Sequence, residues 1–104
     1  MPQNLDKDGL RSKINSYELF FIDIWGVIHN GLQIFEDSIE VLENLKKNNK
    51  EFVLLTNAPR PNSTVIDFLK KMGLKKFYEN VYTSGEASLK YLMENFLNTK
   101  FYHI

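Results

Sequence analysis

Two short apolar runs stand out along the chain, Leu19-Phe20-Phe21-Ile22 and Phe52-Val53-Leu54-Leu55. Each is near-continuous, aromatic or branched, and too brief for a helix, which predicts strands of a parallel sheet over about 18–24 and 51–56. Between and after them the apolar spacing becomes helical. Ile39, Leu42 and Leu45 form one stripe, with Asp37 and Glu40 at the spacing of an N-cap and its N3 partner, and Lys46-Lys47 suited to a helix C-terminus. Val65, Ile66, Leu69 and Met72 form a second, capped by Asn62 or Ser63 and closed by Gly73. Thr83-x-x-Glu86 is a capping box that opens a third helix, whose Leu89, Leu92, Met93 and Phe96 are expected to be buried. A short strand is expected at 80–83, and Lys100 to Ile104 alternate toward a fourth. Asn30-Gly31 marks a hairpin with Val27/Ile28 facing Leu32/Ile34. Leu5, Leu10 and Ile14 give a weak stripe, so 1–17 is a lead-in segment with a helix at most.

The order strand, hairpin, helix, strand, helix, strand, helix, strand predicts an α/β fold with a parallel sheet and right-handed crossovers. Such sheets bind ligands at the carboxyl ends of their strands. There the sequence places Asp23, the pair Thr56/Asn57 and the pair Thr83/Ser84. A charge at a strand end near a core needs a partner or a role, which makes Asp23 the residue to explain. A carboxylate beside hydroxyls and free N–H groups at a helix start suits a phosphate with a hard divalent cation.

Composition narrows the classes. With 104 residues, 43% hydrophobic and 25% charged, the chain is expected to be one small globular domain rather than disordered. Thirteen basic residues balance thirteen acidic ones, so no overall field recruits nucleic acid or an anionic membrane. No cysteine is present, which excludes disulfides and thiolate metal sites and fits a cytoplasmic setting. No apolar stretch has the length of a membrane span, and the N-terminus lacks a signal-peptide pattern. Arg60 is an exposed loop residue, His29 a surface residue of the hairpin and His103 a strand residue. Lys46-Lys47, Lys70-Lys71 and Lys75-Lys76 read as helix C-terminal charges.

The strand–Asp23-x-x-Gly26-Val27 pattern, followed one βαβ unit later by strand–Thr56-Asn57, resembles the haloacid dehalogenase (HAD) superfamily of phosphohydrolases. Gly26-Val27-Ile28-His29-Asn30-Gly31, Leu54-Leu55-Thr56-Asn57 and Thr83-Ser84-Gly85-Glu86-Ala87 look like its subfamily IIA, the nitrophenyl-phosphatase-like branch. The resemblance runs over 18–104 and implies the N-terminal part of a Rossmann-like HAD core.

By that resemblance, Asp23 is a nucleophile that forms an aspartyl-phosphate and binds magnesium, with the backbone carbonyl of Trp25 as a further metal ligand. Thr56 and the N–H of Asn57 would hold the phosphoryl group of a small phosphorylated substrate. The segment from Gly26 to Ile34 would be a flap shielding the site from water.

Two departures qualify this. Trp25 stands where most such phosphatases carry a second aspartate as general acid. The family's later lysine, acidic metal ligands and cap also have no counterpart after Ser84. The sequence therefore predicts an incomplete core, inactive alone. A complementing C-terminal polypeptide or a non-catalytic binding role are the alternatives, and the substrate goes unnamed without the cap that would read it.

Overall fold

A computed structural model describes residues 9–102. Leu5, His103 and Ile104, on which part of the sequence reading rested, lie outside them. Strand β1 (Leu19–Asp23) leads to helix α1 (Glu36–Lys47), strand β2 (Glu51–Thr56), helix α2 (Asn62–Lys71), strand β3 (Val81–Thr83) and helix α3 (Ser84–Asn95). The three strands form one parallel sheet in the order β1-β2-β3, with Leu19 opposite Glu51, Asp23 opposite Leu55, and Leu55 in turn opposite Tyr82.

Both crossovers step across the sheet in the same direction, and right-handed connections then place α1 and α2 on the same face. Side-chain alternation along the strands sorts accordingly. Phe52, Leu54 and Val81 point into the helical layer and are buried with Leu42 and Leu45 of α1, Leu69 of α2, and Leu74 and Phe77 beyond it. Phe52 meets Phe77 edge-on at 5.3 Å between ring centroids. Full burial of side chains this size stabilises by roughly 1.5–3 kcal/mol each. The opposite face is open among the described residues, and Leu19, Phe21, Leu55 and Tyr82 are exposed on it, Phe21 by 70%.

Several local expectations need correction. The lead-in forms two single 3₁₀ turns, Leu10–Ser12 and Ile14–Ser16, whose Leu10 and Ile14 pack against the core. Helix α1 starts one residue before Asp37, after Phe35 and with no side-chain cap, so Asp37 lies in the first turn and acts through the helix dipole. The Ser38 hydroxyl in that turn donates to the Val27 carbonyl and ties the helix start to the loop after β1.

The loop from Asn30 to Gln33 closes with Gly31 and Leu32 at its tip rather than Asn30-Gly31. Asn30 N–H donates to the Gln33 carbonyl at 3.2 Å, and Asn30 Oδ1 accepts the N–H groups of Leu32 and Gln33. Gly31 takes the left-handed φ of +90° that this tip requires. His29 pairs with Ile34 in an isolated bridge, so no extended hairpin strands form. Met72 caps α2 and Gly73 follows at φ +108°, as the sequence predicts.

Helix α3 buries none of its side chains among the described residues. Leu89, Met93 and Phe96 are exposed, although their spacing predicted a core stripe. Residues 100–102 have no regular structure, so the expected fourth strand does not form there. Lys75 and Lys76 follow α2 in a loop rather than ending a helix, and Lys76 pairs with Glu43 of α1.

Candidate active site

Parallel strands bring their carboxyl ends to one edge, and there Asp23, Leu55, Thr56, Asn57, Tyr82, Thr83, Ser84 and Ala87 line one crevice. The three groups singled out in the sequence therefore do converge. Leu55 and Tyr82 were missed. The signal for them was the strand register, because both occupy the same row and face as Asp23.

Asp23 closes β1 with its carboxylate exposed. Oδ1 accepts the N–H of Ile24 at 2.8 Å, which fixes the carboxylate orientation and leaves Oδ2 with no donor among the described residues. Directly beyond, the chain turns sharply. The Ile24 carbonyl accepts the N–H groups of Val27, Ile28 and His29 at 3.2, 2.8 and 3.4 Å, while no donor among the described residues reaches the Trp25 carbonyl. Gly26, at φ +79°, makes this turn possible. Oδ1 of Asp23, which keeps a lone pair beside the Ile24 N–H, and the free Trp25 carbonyl two residues on are hard oxygen donors, and they fit magnesium, which takes few protein ligands and keeps several waters, while Oδ2 stays unshared. Among the described residues no group of three His, Asp or Glu side chains could hold a metal.

Thr56 ends β2, and its Oγ1 accepts the Ala58 N–H at 3.3 Å, leaving the hydroxyl proton free to donate outward. Asn57 follows in the exposed loop. Thr83 and Ser84 behave differently from the sequence expectation. Thr83 is fully buried, its hydroxyl donates to the Arg60 carbonyl, and its Oγ1 accepts the Glu86 N–H at 2.9 Å as the cap of α3. Ser84 Oγ donates to the Ala58 carbonyl at 3.2 Å, and Gly85 N–H donates to the same carbonyl at 3.0 Å. The N–H groups of Gly85 and Glu86 at the start of α3 are thus already engaged, and they are not free for phosphate. Their work is to hold the loop that carries Thr56 and Asn57 against α3.

Half of the expected capping box is exchanged between helices. The Glu86 carboxylate does not turn back to Thr83. It accepts the Asn62 N–H at 3.1 Å and so caps α2, while Asn62 Oδ1 accepts the Thr83 N–H at 2.9 Å. Asn62 is therefore the first residue of α2 rather than its cap, which is Pro61.

His29 is buried, contrary to its reading as a surface residue: only 3% is exposed. Nδ1 accepts the Gly31 N–H at 2.9 Å, so the neutral ring carries its proton on Nε2. Burial lowers its pKa below the ordinary imidazole value. Trp25, by contrast, is 65% exposed, edge-on to the His29 ring at 5.0 Å.

The family model for haloacid dehalogenase-like hydrolases matches residues 20–104. Among solved structures, the chain is similar to a haloacid dehalogenase-like hydrolase from Brucella suis 1330, with a TM-score of 0.72 and 29% identity over 91% of this chain and 35% of that one. It is also similar to the 4-nitrophenylphosphatase of Thermotoga maritima, with a TM-score of 0.67 and 31% identity over 80% of this chain and 32% of that one. The chain thus spans about a third of the length of these structures. No curated protein sequence matches it significantly. No helix among the described residues is long and apolar enough to cross a membrane. From the match over 20–104 and the shared α/β core, the chain belongs to the haloacid dehalogenase-like hydrolases.

Proposed function

We propose that this chain supplies the nucleophile-bearing part of a magnesium-dependent phosphohydrolase acting on a small phosphorylated molecule. The convergence of Asp23, Thr56 and Asn57 on one crevice carries this reading. Oδ2 of Asp23 attacks phosphorus, the bond from phosphorus to the leaving oxygen breaks, and an aspartyl-phosphate forms. The Thr56 hydroxyl and the Asn57 N–H stabilise charge on the transferring group. Bound magnesium, held by Asp23 and the Trp25 carbonyl, would neutralise phosphate charge and orient it for attack.

Trp25 has no proton to give to the leaving oxygen, a loss of roughly 10²–10⁴-fold that shrinks for acidic leaving groups. Hydrolysis of the intermediate also needs a base for water, and none of the lining residues has the character for it. Multiple turnover accordingly requires groups beyond those that line the crevice, and a complementing C-terminal polypeptide is one source of them. The position of Trp25 also favours a second reading, a non-catalytic phosphate-binding role. Incubating the chain with 4-nitrophenyl phosphate and magnesium tests the first: beyond one equivalent per chain at most, nitrophenol release should not exceed the buffer rate. Sustained release that Asp23→Asn abolishes would show that the chain suffices alone.

A further inference from the structure

One buried side chain near the site is left without a role by this chemistry. Its ring touches three parts of the molecule at once. His29 Nδ1 accepts the Gly31 N–H at 2.9 Å at the tip of the loop. One side of the ring meets Trp25 edge-on at 5.0 Å, and Phe68 of α2 meets it at 5.6 Å. The His29 backbone carbonyl accepts the Gly26 N–H at 2.7 Å, closing the turn that carries Trp25. The loop tip in turn lies on the indole, because a Cβ on Gly31 would stand 2.6 Å from a Trp25 ring atom.

We propose that His29 is a positioning residue of the site: its buried Nδ1, by holding the Gly31 N–H, locks the loop tip on Trp25 and so holds the Trp25 carbonyl at the strand end beside Asp23. The proposal rests on the reading of Asp23 and Trp25 as magnesium ligands. Apart from the Gly26 N–H on the His29 backbone carbonyl, the Trp25–Gly26 peptide has no hydrogen bond among the described residues, and the Trp25 side chain is largely exposed. A carbonyl that wanders is a poor ligand for a cation demanding near-ideal octahedral geometry. The group that orients a ligand then governs affinity without touching the metal.

Trp25 is the chain's only tryptophan, so its emission reports on this peptide alone. The test titrates magnesium into the whole chain and follows that emission. The wild type should give a saturable change that Asp23→Asn abolishes. His29→Phe keeps the ring and its edge contacts but removes the acceptor for Gly31. It should raise the magnesium midpoint by about fivefold, the size of one lost hydrogen bond, with far-ultraviolet dichroism unchanged. His29→Asn, with Oδ1 standing in for Nδ1, should stay within about twofold of wild type.

A wild-type midpoint in His29→Phe overturns the proposal alone. Should His29→Phe fail to fold, His29→Asn decides: a midpoint within about twofold supports the proposal, and one raised about fivefold overturns it. A wild-type emission unmoved by magnesium, or moved equally in Asp23→Asn, overturns the metal reading and the proposal together.

Discussion

The carboxylate of Glu86 on α3 accepts the N–H of Asn62 at the start of α2, and Asn62 returns its side-chain oxygen to the N–H of Thr83. Helix α2 is therefore capped from α3 across the sheet edge, while α3 keeps its own cap in Thr83. The loop 57–61 lies between these bonds and inherits its position from them.

Removing the acceptor tests that coupling. Glu86→Ala should destabilise the chain by about 1 kcal/mol, a typical cost for a lost helix cap, whereas Glu86→Gln retains an acceptor and should cost less. Asn62→Ala leaves the Thr83 N–H unpaired and should cost about 1–3 kcal/mol. Urea unfolding of the three variants checks the order.

Gly85 sits where α3 meets the same loop. A Cβ there would overlap the backbone N, C and O atoms of Arg60, which no rotamer change can relieve. Gly85→Ala should therefore push the loop off α3 and cost about 1–3 kcal/mol, the range for overpacking. Amide exchange at Gly85 itself, now protected by the Ala58 carbonyl, should become faster in Glu86→Ala, which keeps that residue but loosens the clamp.

His29 gives the chain a pH dependence of definite sign. Its folded pKa lies below the unfolded value, so the unfolded state binds the proton more readily. The stability due to neutral His29 is complete above about pH 6.5 and is lost as pH falls through the lowered folded value. Unfolding midpoints should drop on acidification through this window, and His29→Phe should flatten the drop. A wild-type midpoint that rises as pH falls from 7 toward 6 (roughly one unit across the imidazole range) would contradict the burial argument.

Phe21 is the most exposed residue on the open face of the sheet among Leu19, Phe21, Leu55 and Tyr82. A contiguous apolar surface of this kind promotes association. Phe21→Lys should reduce concentration-dependent association in sedimentation while shifting stability by no more than about 0.5 kcal/mol.

What could be read from sequence was whatever a residue decides within its own segment. The run Glu51–Thr56 is a strand as expected, Gly73 ends α2, and Thr83 caps α3 through its own hydroxyl. The convergence of Asp23, Thr56 and Asn57 was legible too, because parallel strand order alone brings their ends together. The rest depended on partners distant in sequence. Periodicity in α3 marks an apolar stripe around Leu89 and Met93 but cannot say whether a layer covers it. Glu86 has the right spacing to cap its own helix, yet the Asn62 N–H offers it a competing donor 24 positions away. His29 looked like a surface residue because contacts that bury it include Phe68 on α2, distant in sequence.

In the proposed chemistry Asp23 accepts a phosphoryl group. Acetyl phosphate is the suitable donor, because its acidic leaving group needs no proton and so bypasses the missing acid at Trp25. The chain should be incubated with it and magnesium, then analysed intact and after digestion by mass spectrometry. One added phosphoryl group should be found, located on the peptide containing Asp23, absent without magnesium and absent in Asp23→Asn. An unlabelled wild-type chain, or a label that persists in Asp23→Asn, would contradict this chemistry.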